Sequence, residues 1–230
     1  YLVIVAVAVA LAFFIRTFVA EVYEVPTGSM LNTIQPGDRL VGEKLTYRFG
    51  GTPQAGDVVT FTSPQNPDTL LVKRVIATAG QTVDLRDGAV YVDGQLMDEP
   101  YTEGKPTYSL ADRTGAVIQN YPYTVPAGHI FVMGDNRTNS LDSRYFGFVP
   151  ETHIMGSPMF TWLSLEGSFT DNNSSYQANG WRIRWDRMFK ATNTGEANKT
   201  SYWWVAAILM GIFFGWDYIM KFVKRKKNEE

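Results

Sequence analysis

"QTVDLRDGAVYVDGQLM", Gln81 to Met97, decides what kind of fold this chain adopts. Short runs rich in β-branched and aromatic residues are cut by Asp87-Gly88 and Asp93-Gly94. Such dipeptides favour tight hairpin turns, because both central positions of the turn need a positive φ. The same texture extends outward on both sides, through "DVVTFTS" (Asp57 to Ser63), "TLLVKRVIAT" (Thr69 to Thr78) and "HIFVMGDN" (His129 to Asn136). No long helical period interrupts these runs. The fold class expected is mainly β, with antiparallel sheets forming a barrel-like domain. Residues 98–126, mixed in Pro, Gly, Thr and Tyr, read as an insertion or a smaller β lobe. "EGSFTDNNSSYQANG", Glu166 to Gly180, reads as a loop, and its Asn-x-Ser sites are too short a pattern to carry an assignment.

With 230 residues, 45% apolar and 19% charged, the chain suits one or two domains with a real core. Its formal net charge of -2 provides no general basic field, so no nucleic-acid partner is expected. The absence of cysteine removes disulfides, thiolate metal ligands and cysteine nucleophiles together. The two histidines, His129 and His153, supply a metal site poorly, and neither metal nor cofactor is expected. His129 opens a strand and His153 follows "PET"; both read as structural polar residues, which leaves any serine chemistry to find another base.

Both ends have membrane character. "YLVIVAVAVALAFFI" (Tyr1 to Ile15) carries no charge, and the apolar run resumes after Arg16 as far as Ala20, about the length that spans a bilayer core. A secretory signal peptide is the rival reading, but no small-x-small cleavage pattern closes the run before Glu21. Near the other end, "YWWVAAILMGIFFGWDYIM" (Tyr202 to Met220) has aromatic residues at both edges and is followed by Lys221 and "KRKK". The expected organisation is a transmembrane helix over 1–20, an extracytoplasmic β domain over 21–200, a second transmembrane helix over 201–223, and a cytoplasmic tail over 224–230.

Ser29, in "PTGSM", is by itself an ordinary turn residue. Lys73, in "LLVKRV", shares one strand face with Leu71 and Val75 by simple alternation, and a lysine on a buried face loses its preference for the charged form. A neutral amine is a competent base for a serine hydroxyl. "GDNRTNSLDSRYFG" (Gly134 to Gly147) reads either as a polar loop with a surface Asp142–Arg144 pair, or as a hydrogen-bond network that orients such an amine. Composition leaves both readings open.

The order of these blocks resembles the bacterial type I signal peptidases, the membrane-bound leader peptidases of the Ser/Lys-dyad class. "PTGSM", "GDRL" (Gly37 to Leu40), "KRV" (Lys73 to Val75), "GDNRTNSLDSRYFG" and "IRWDRMFK" (Ile183 to Lys190) carry the resemblance across most of the soluble region. It implies Ser29 as nucleophile and Lys73 as general base, with the Ser29 N–H and the Thr27 hydroxyl as oxyanion donors. Ser140 corresponds to the hydroxyl that orients the lysine, Asp142 and Arg144 to a bracing pair, and Gly134, Asp135 and Asn136 to the loop behind. Tyr23, Val25, Pro26, Met30, Ile34, Leu71 and Val72 would line pockets for small residues, as in Ala-x-Ala. Two positions depart from the family's usual pattern: Thr27 stands where the best-known members have serine, and Asn32 where many have proline.

The resemblance also implies the partners: signal peptides of exported preproteins, the lipid bilayer, and proximity to the export machinery, with the catalytic domain on the outer side of a bacterial cytoplasmic membrane. The signal peptide is expected to bind as an added strand. Three alternatives use the same residues less completely. An Asp135/Asp142 protease leaves Ser29 and Lys73 unexplained, and a self-cleaving repressor lacks a DNA-binding segment here. A catalytically silent membrane-tethered module that binds exported peptides is the alternative from another class.

Overall fold

The described chain opens on an apolar helix, α1 (Leu2–Phe14), continued by a π-helical turn over Ile15–Val19. Ala20 then turns extended and starts β1 (Ala20–Glu24). The computed structural model describes residues 2–169 and 176–192. The helix expected over 1–20 is therefore 13 residues of α-helix plus one wider turn, and the α-helical part measures roughly 20 Å at 1.5 Å per residue. Among the described residues no helix is long and apolar enough to cross a membrane. The second helix expected over 201–223, the tail over 224–230 and the Asn-x-Ser sites at Asn172 and Asn173 lie outside the described residues.

After β1 come β2 (Asp38–Glu43), the short α2 (Leu45–Arg48), β3 (Val58–Thr62) and β4 (Leu70–Thr78). These are followed by β5 (Thr82–Arg86), β6 (Ala89–Val92), β7 (Gln95–Leu96), β8 (Tyr123–Thr124) and β9 (His129–Met133). The chain continues through α3 (Ser143–Phe146), β10 (Val149–Pro150), β11 (Ile154–Phe169) and β12 (Tyr176–Ile183). An eight-stranded antiparallel sheet runs β1-β2-β11-β3-β4-β9-β10, with β12 on the far end of β11. A four-stranded sheet runs β7-β6-β5-β8. Both Asp-Gly turns form as their sequence implies, with positive φ at Asp87, Gly88, Asp93 and Gly94.

The large sheet curls. β1 and β4 have β2, β11 and β3 between them, yet Tyr23 of β1, Leu40 of β2, Val58 of β3 and Val72 of β4 meet in one apolar cluster with Val25, Met30 and Ile34. The curl comes from β11, whose register slips where it pairs with β3, β2 and β12. Each slip adds local twist, so one strand serves three partners while changing direction. The result is a half-barrel, open between β1 and β4. Burial of Ile34 and Leu40, both fully enclosed, contributes about 1.5–3 kcal/mol each and ties the segment between β1 and β2 to the barrel wall.

The small sheet packs behind β4 and β9: Val83, Val90 and Val92 join Ile76, Ala77, Phe131 and Met133 in a second cluster. Segment 98–126 adds only β8 to this sheet, plus Ile118 and Val125 to its core. The other three strands come from 82–96. The reading of 166–180 as a loop is corrected. β11 runs to Phe169 and β12 starts at Tyr176, and Gly167, Ser168 and Phe169 pair with Ala178, Gln177 and Tyr176. The physical reason is a cross-strand edge-to-face contact between Phe169 and Tyr176, 5.6 Å between ring centres, which outweighs the polar composition around it.

Candidate active site

The segment after β1 turns because its ends are pinned. Met30 and Ile34 are buried in the half-barrel, the Leu31 N–H donates to Gly28 O, and the Ile34 N–H donates to Met30 O. Asn32 sits at φ +87°, a left-handed conformation that asparagine tolerates and proline, locked near −65°, cannot adopt. The proline expected from the family pattern could not adopt this turn, whereas the asparagine can. Ser29 lies at the apex, half-buried, with its side chain toward the cleft between β1 and β4.

Lys73 comes from the middle of β4, where Val59 of β3 is its partner. Its Nζ lies 2.6 Å from Ser29 Oγ. The ammonium donates in that contact; once the amine is neutral, the serine hydroxyl donates instead. The side chain is 3% exposed, and this burial pulls its pKa down to about 8; attraction from Asp142 opposes the shift, repulsion from Arg144 adds to it, and a further attraction from Asp135 opposes it. Each carboxylate is already paired with an arginine, so their pull is largely cancelled and desolvation wins. At pH 7 a lysine with this pKa is neutral in roughly one molecule in ten, against fewer than about one in a thousand for a free lysine.

Two buried ion pairs frame the lysine. Arg74 donates from Nε and Nη2 to Asp135 at 2.8 and 2.7 Å, and Asp135 also accepts from the Thr33 hydroxyl at 2.5 Å. Arg144 binds Asp142 through Nε and Nη2 at 2.8 Å each, and its Nη2 also donates to Arg137 O. The Asp142–Arg144 pair is fully buried, unlike the surface pair that sequence also allowed. Asp142 accepts in addition from the Gly134 N–H, and Arg144 holds its carboxyl below the usual carboxylate range against the opposing effect of burial.

Gly134 is needed where it stands: a Cβ there would collide with Ser29 O and with the Ser140 side chain. Asn136 reaches the same turn, donating from Nδ2 to Gly28 O at 2.9 Å and from its backbone N–H to Ser29 O at 3.0 Å. Ser140 lies beside Gly134 with its hydroxyl buried, but that hydroxyl makes no hydrogen bond to Lys73 or to any other described group. Thr27 is exposed at the cleft, without a hydrogen bond among the described residues.

The cleft encloses about 380 Å³. Tyr23, Val25, Pro26, Met30, Ile34, Leu71 and Val72 all line it, together with Thr27, Ser29 and Lys73. Two strand edges face it. Among the described residues β1 pairs only with β2, and β4 pairs with β9 only from Arg74 onward, so Leu70 to Lys73 keep one side unpaired there. Their free N–H and C=O groups are a template for an extended peptide.

Sequence reasoning passed over Arg74, Glu99, Tyr101 and Arg137. The Tyr101 ring lies against the Arg74 guanidinium at 4.0 Å, and Arg137 binds Glu99, the Thr107 hydroxyl and Gly134 O. Segment 98–126 is therefore a support for the Gly134–Gly147 loop. One signal was present: a second cation directly after Lys73 in an apolar strand, facing the opposite side, has to be buried too once both faces are covered.

Comparison with known proteins places the chain in a family. The family described as signal peptidase, peptidase S26, matches residues 1–163. The probable signal peptidase I-1 of Synechocystis sp. is 42% identical over 176 residues, 71% of this chain and 84% of that protein. Signal peptidase I of Leptolyngbya laminosa is 39% identical over 159 residues, 66% of this chain and 73% of the relative. For signal peptidase I of Pseudomonas aeruginosa the values are 32% over 191 residues, 65% and 67%.

Proposed function

The chain belongs to the signal peptidase family, peptidase S26, and is a serine peptidase; from that premise we propose that it cleaves signal peptides from exported preproteins after small residues, using a Ser29–Lys73 dyad while tethered to a membrane. The observation that carries this reading is the 2.6 Å contact between Lys73 Nζ and Ser29 Oγ at the end of a cleft bounded by two unpaired strand edges.

In this mechanism the substrate enters the cleft as an extended strand, bonding to the edges of β1 and β4. The neutral Lys73 amine takes the Ser29 proton as Oγ attacks the scissile carbonyl, and the carbonyl oxygen becomes an oxyanion facing the Ser29 N–H and the Thr27 hydroxyl. Lys73, now protonated, gives its proton to the leaving amine. Water then enters, Lys73 takes one of its protons, and the acyl-enzyme is hydrolysed. In an extended peptide alternate side chains point the same way, so the residue that supplies the carbonyl and the one two before it face the apolar wall. The confined space suits alanine at both.

Membrane tethering is supported by α1, which exposes Val3, Val5, Val7, Val9, Leu11 and Phe13, and by the nearness of β1 to it in the chain. Trp181, Trp185 and Phe189 add large apolar groups at 82%, 72% and 73% exposure, a pattern that suits contact with lipid. The nucleophile turn follows β1 directly, which would present the dyad close to the bilayer surface.

The test is cleavage of a preprotein bearing an Ala-x-Ala site by the detergent-solubilised full chain, with the new N-terminus read by mass spectrometry. A single cut after the second alanine, together with acylation of Ser29 by an active-site inhibitor, is the expected result. A folded protein that neither cuts nor acylates would instead be a peptide-binding module. The same assay carries a pH prediction. Since the base works only when neutral, kcat/KM is expected to rise about tenfold per pH unit below about 8 and to level off above it. A limb set near pH 6 or 10 would exclude the buried lysine as base.

A further inference from the structure

We propose that Asn136, held in orientation by Lys105, is the positioning residue that aims the Ser29 N–H into the oxyanion site; the inference rests on the dyad reading above. A trans peptide directs its C=O and its N–H in opposite senses. Gly28 O accepts from the Leu31 N–H within the turn at 3.2 Å and, more closely, from the Asn136 amide of the Gly134–Gly147 loop at 2.9 Å, a buried contact between residues 108 positions apart. The N–H of the same peptide, that of Ser29, consequently faces away from that loop, on the side of the cleft. Among the described residues this N–H donates to no acceptor, as an oxyanion donor must be free to do.

The Asn136 backbone N–H closes the grip by donating to Ser29 O at 3.0 Å. Asn136 therefore contacts the carbonyls on both sides of the nucleophile, sharing Gly28 O with the Leu31 N–H of the turn itself. Which end of the Asn136 amide faces Gly28 is decided by its other end. Oδ1 accepts from Lys105 Nζ at 3.3 Å and stands 3.5 Å from the Thr138 hydroxyl, so donors already occupy the acceptor side and Nδ2 is left for Gly28. Lys105 also brings positive charge to the far end of a line that runs through two amides to the oxyanion donor. Its charge polarises both in the sense that strengthens the Ser29 N–H as a donor. Lys105 belongs to segment 98–126, which none of the motif blocks includes.

The experiment compares wild type with Asn136→Ala, Asn136→Asp and Lys105→Met in the full chain. It reads kcat and KM on the Ala-x-Ala preprotein, and inhibition by a peptide aldehyde, which forms a tetrahedral adduct with serine. Asn136→Ala is expected to lower kcat and weaken the aldehyde by the same factor, about 30-fold, with KM nearly unchanged, because a misaimed donor affects only the tetrahedral state. Asn136→Asp keeps the size but sets a carboxylate against Gly28 O, and is expected to lose at least as much. Lys105→Met, at a half-exposed position where folding is not at risk, is expected to lose about threefold in both measures. Loss of kcat with unchanged aldehyde affinity, an equal rise in KM, or wild-type behaviour of Lys105→Met would overturn the proposal while leaving the dyad intact. A wild type that does not cleave and does not bind the aldehyde overturns both.

Discussion

With Lys73 replaced by methionine, turnover is expected to fall by about 10⁴-fold while the folded state becomes more stable. The loss follows from the proposed dyad, in which Lys73 accepts the Ser29 proton; Nζ is the side-chain nitrogen that contacts Oγ. The gain follows from linkage. Burial lowers the lysine pKa in the folded chain to about 8, whereas in the unfolded chain it returns to its ordinary value near 10.4. The unfolded state therefore binds more protons over that interval, and stability rises with pH across it. Below about pH 8 the full cost of holding an ammonium in a closed site applies, on the order of 3 kcal/mol. Methionine fills similar space without a charge. Urea denaturation of both proteins in detergent is expected to show the variant more stable by about 2–3 kcal/mol at pH 7, the Ser29 hydroxyl's lost partner accounting for the remainder, and the gap is expected to close toward pH 10.5. A variant that is less stable at pH 7 would mean that the lysine is carried charged and well solvated.

Asp142→Ala is expected to be the most destabilising single change in the site, at about 3–5 kcal/mol, because it strands a guanidinium that is 1% exposed. It also removes the acceptor for the Gly134 N–H, which positions the loop against Ser29. The stabilisation from Asp142 is present above its unfolded pKa and is lost as pH falls through its lower folded value, so the wild type should converge on the variant in acid. Asp142→Asn retains the shape but removes the charge. Arg144 then repels Lys73 without its counterweight, and the activity limb should move to lower pH, with turnover at pH 7 limited by loop order and not by lysine protonation. Combining Asp142→Leu with Arg144→Met should recover part of the lost stability, since neither change leaves a charge unpaired. Thermal unfolding of the three variants beside the kcat/KM profile separates these effects. Equal stability of Asp142→Ala and wild type would remove the buried pair from the account.

How much of this was legible beforehand varies by residue for physical reasons. The hairpins at Asp87-Gly88 and Asp93-Gly94 were readable because φ at those positions depends on the dipeptide itself. Strands β3, β4 and β9 were readable from local composition. β11 and β12 were not: the hairpin that contains them is held by Phe169 against Tyr176 and by pairing with β2 and β3, while its own residues include Gly, Ser, Asn and Gln. The helix at the start was legible as an apolar run but not in its end point. Ala20 leaves the helix because Glu43 offers it a strand partner, and nothing within 1–20 announces β2.

The site divides in the same way. The identity and order of the chemical groups, Ser29 in a turn, Lys73 in an apolar strand and the Gly134–Gly147 block after β9, lie in the sequence itself, because residue type and local pattern are one-dimensional properties. Only the tertiary structure decided that Lys73 reaches a serine 44 positions away, and that Arg74 finds an acid 61 positions away. The same holds for the support that segment 98–126 gives the Gly134–Gly147 loop. Contact and burial are sums over neighbours drawn from the whole chain, and a lysine's pKa follows the sum: the strand that carries Lys73 cannot specify how much water the curled sheet leaves around it.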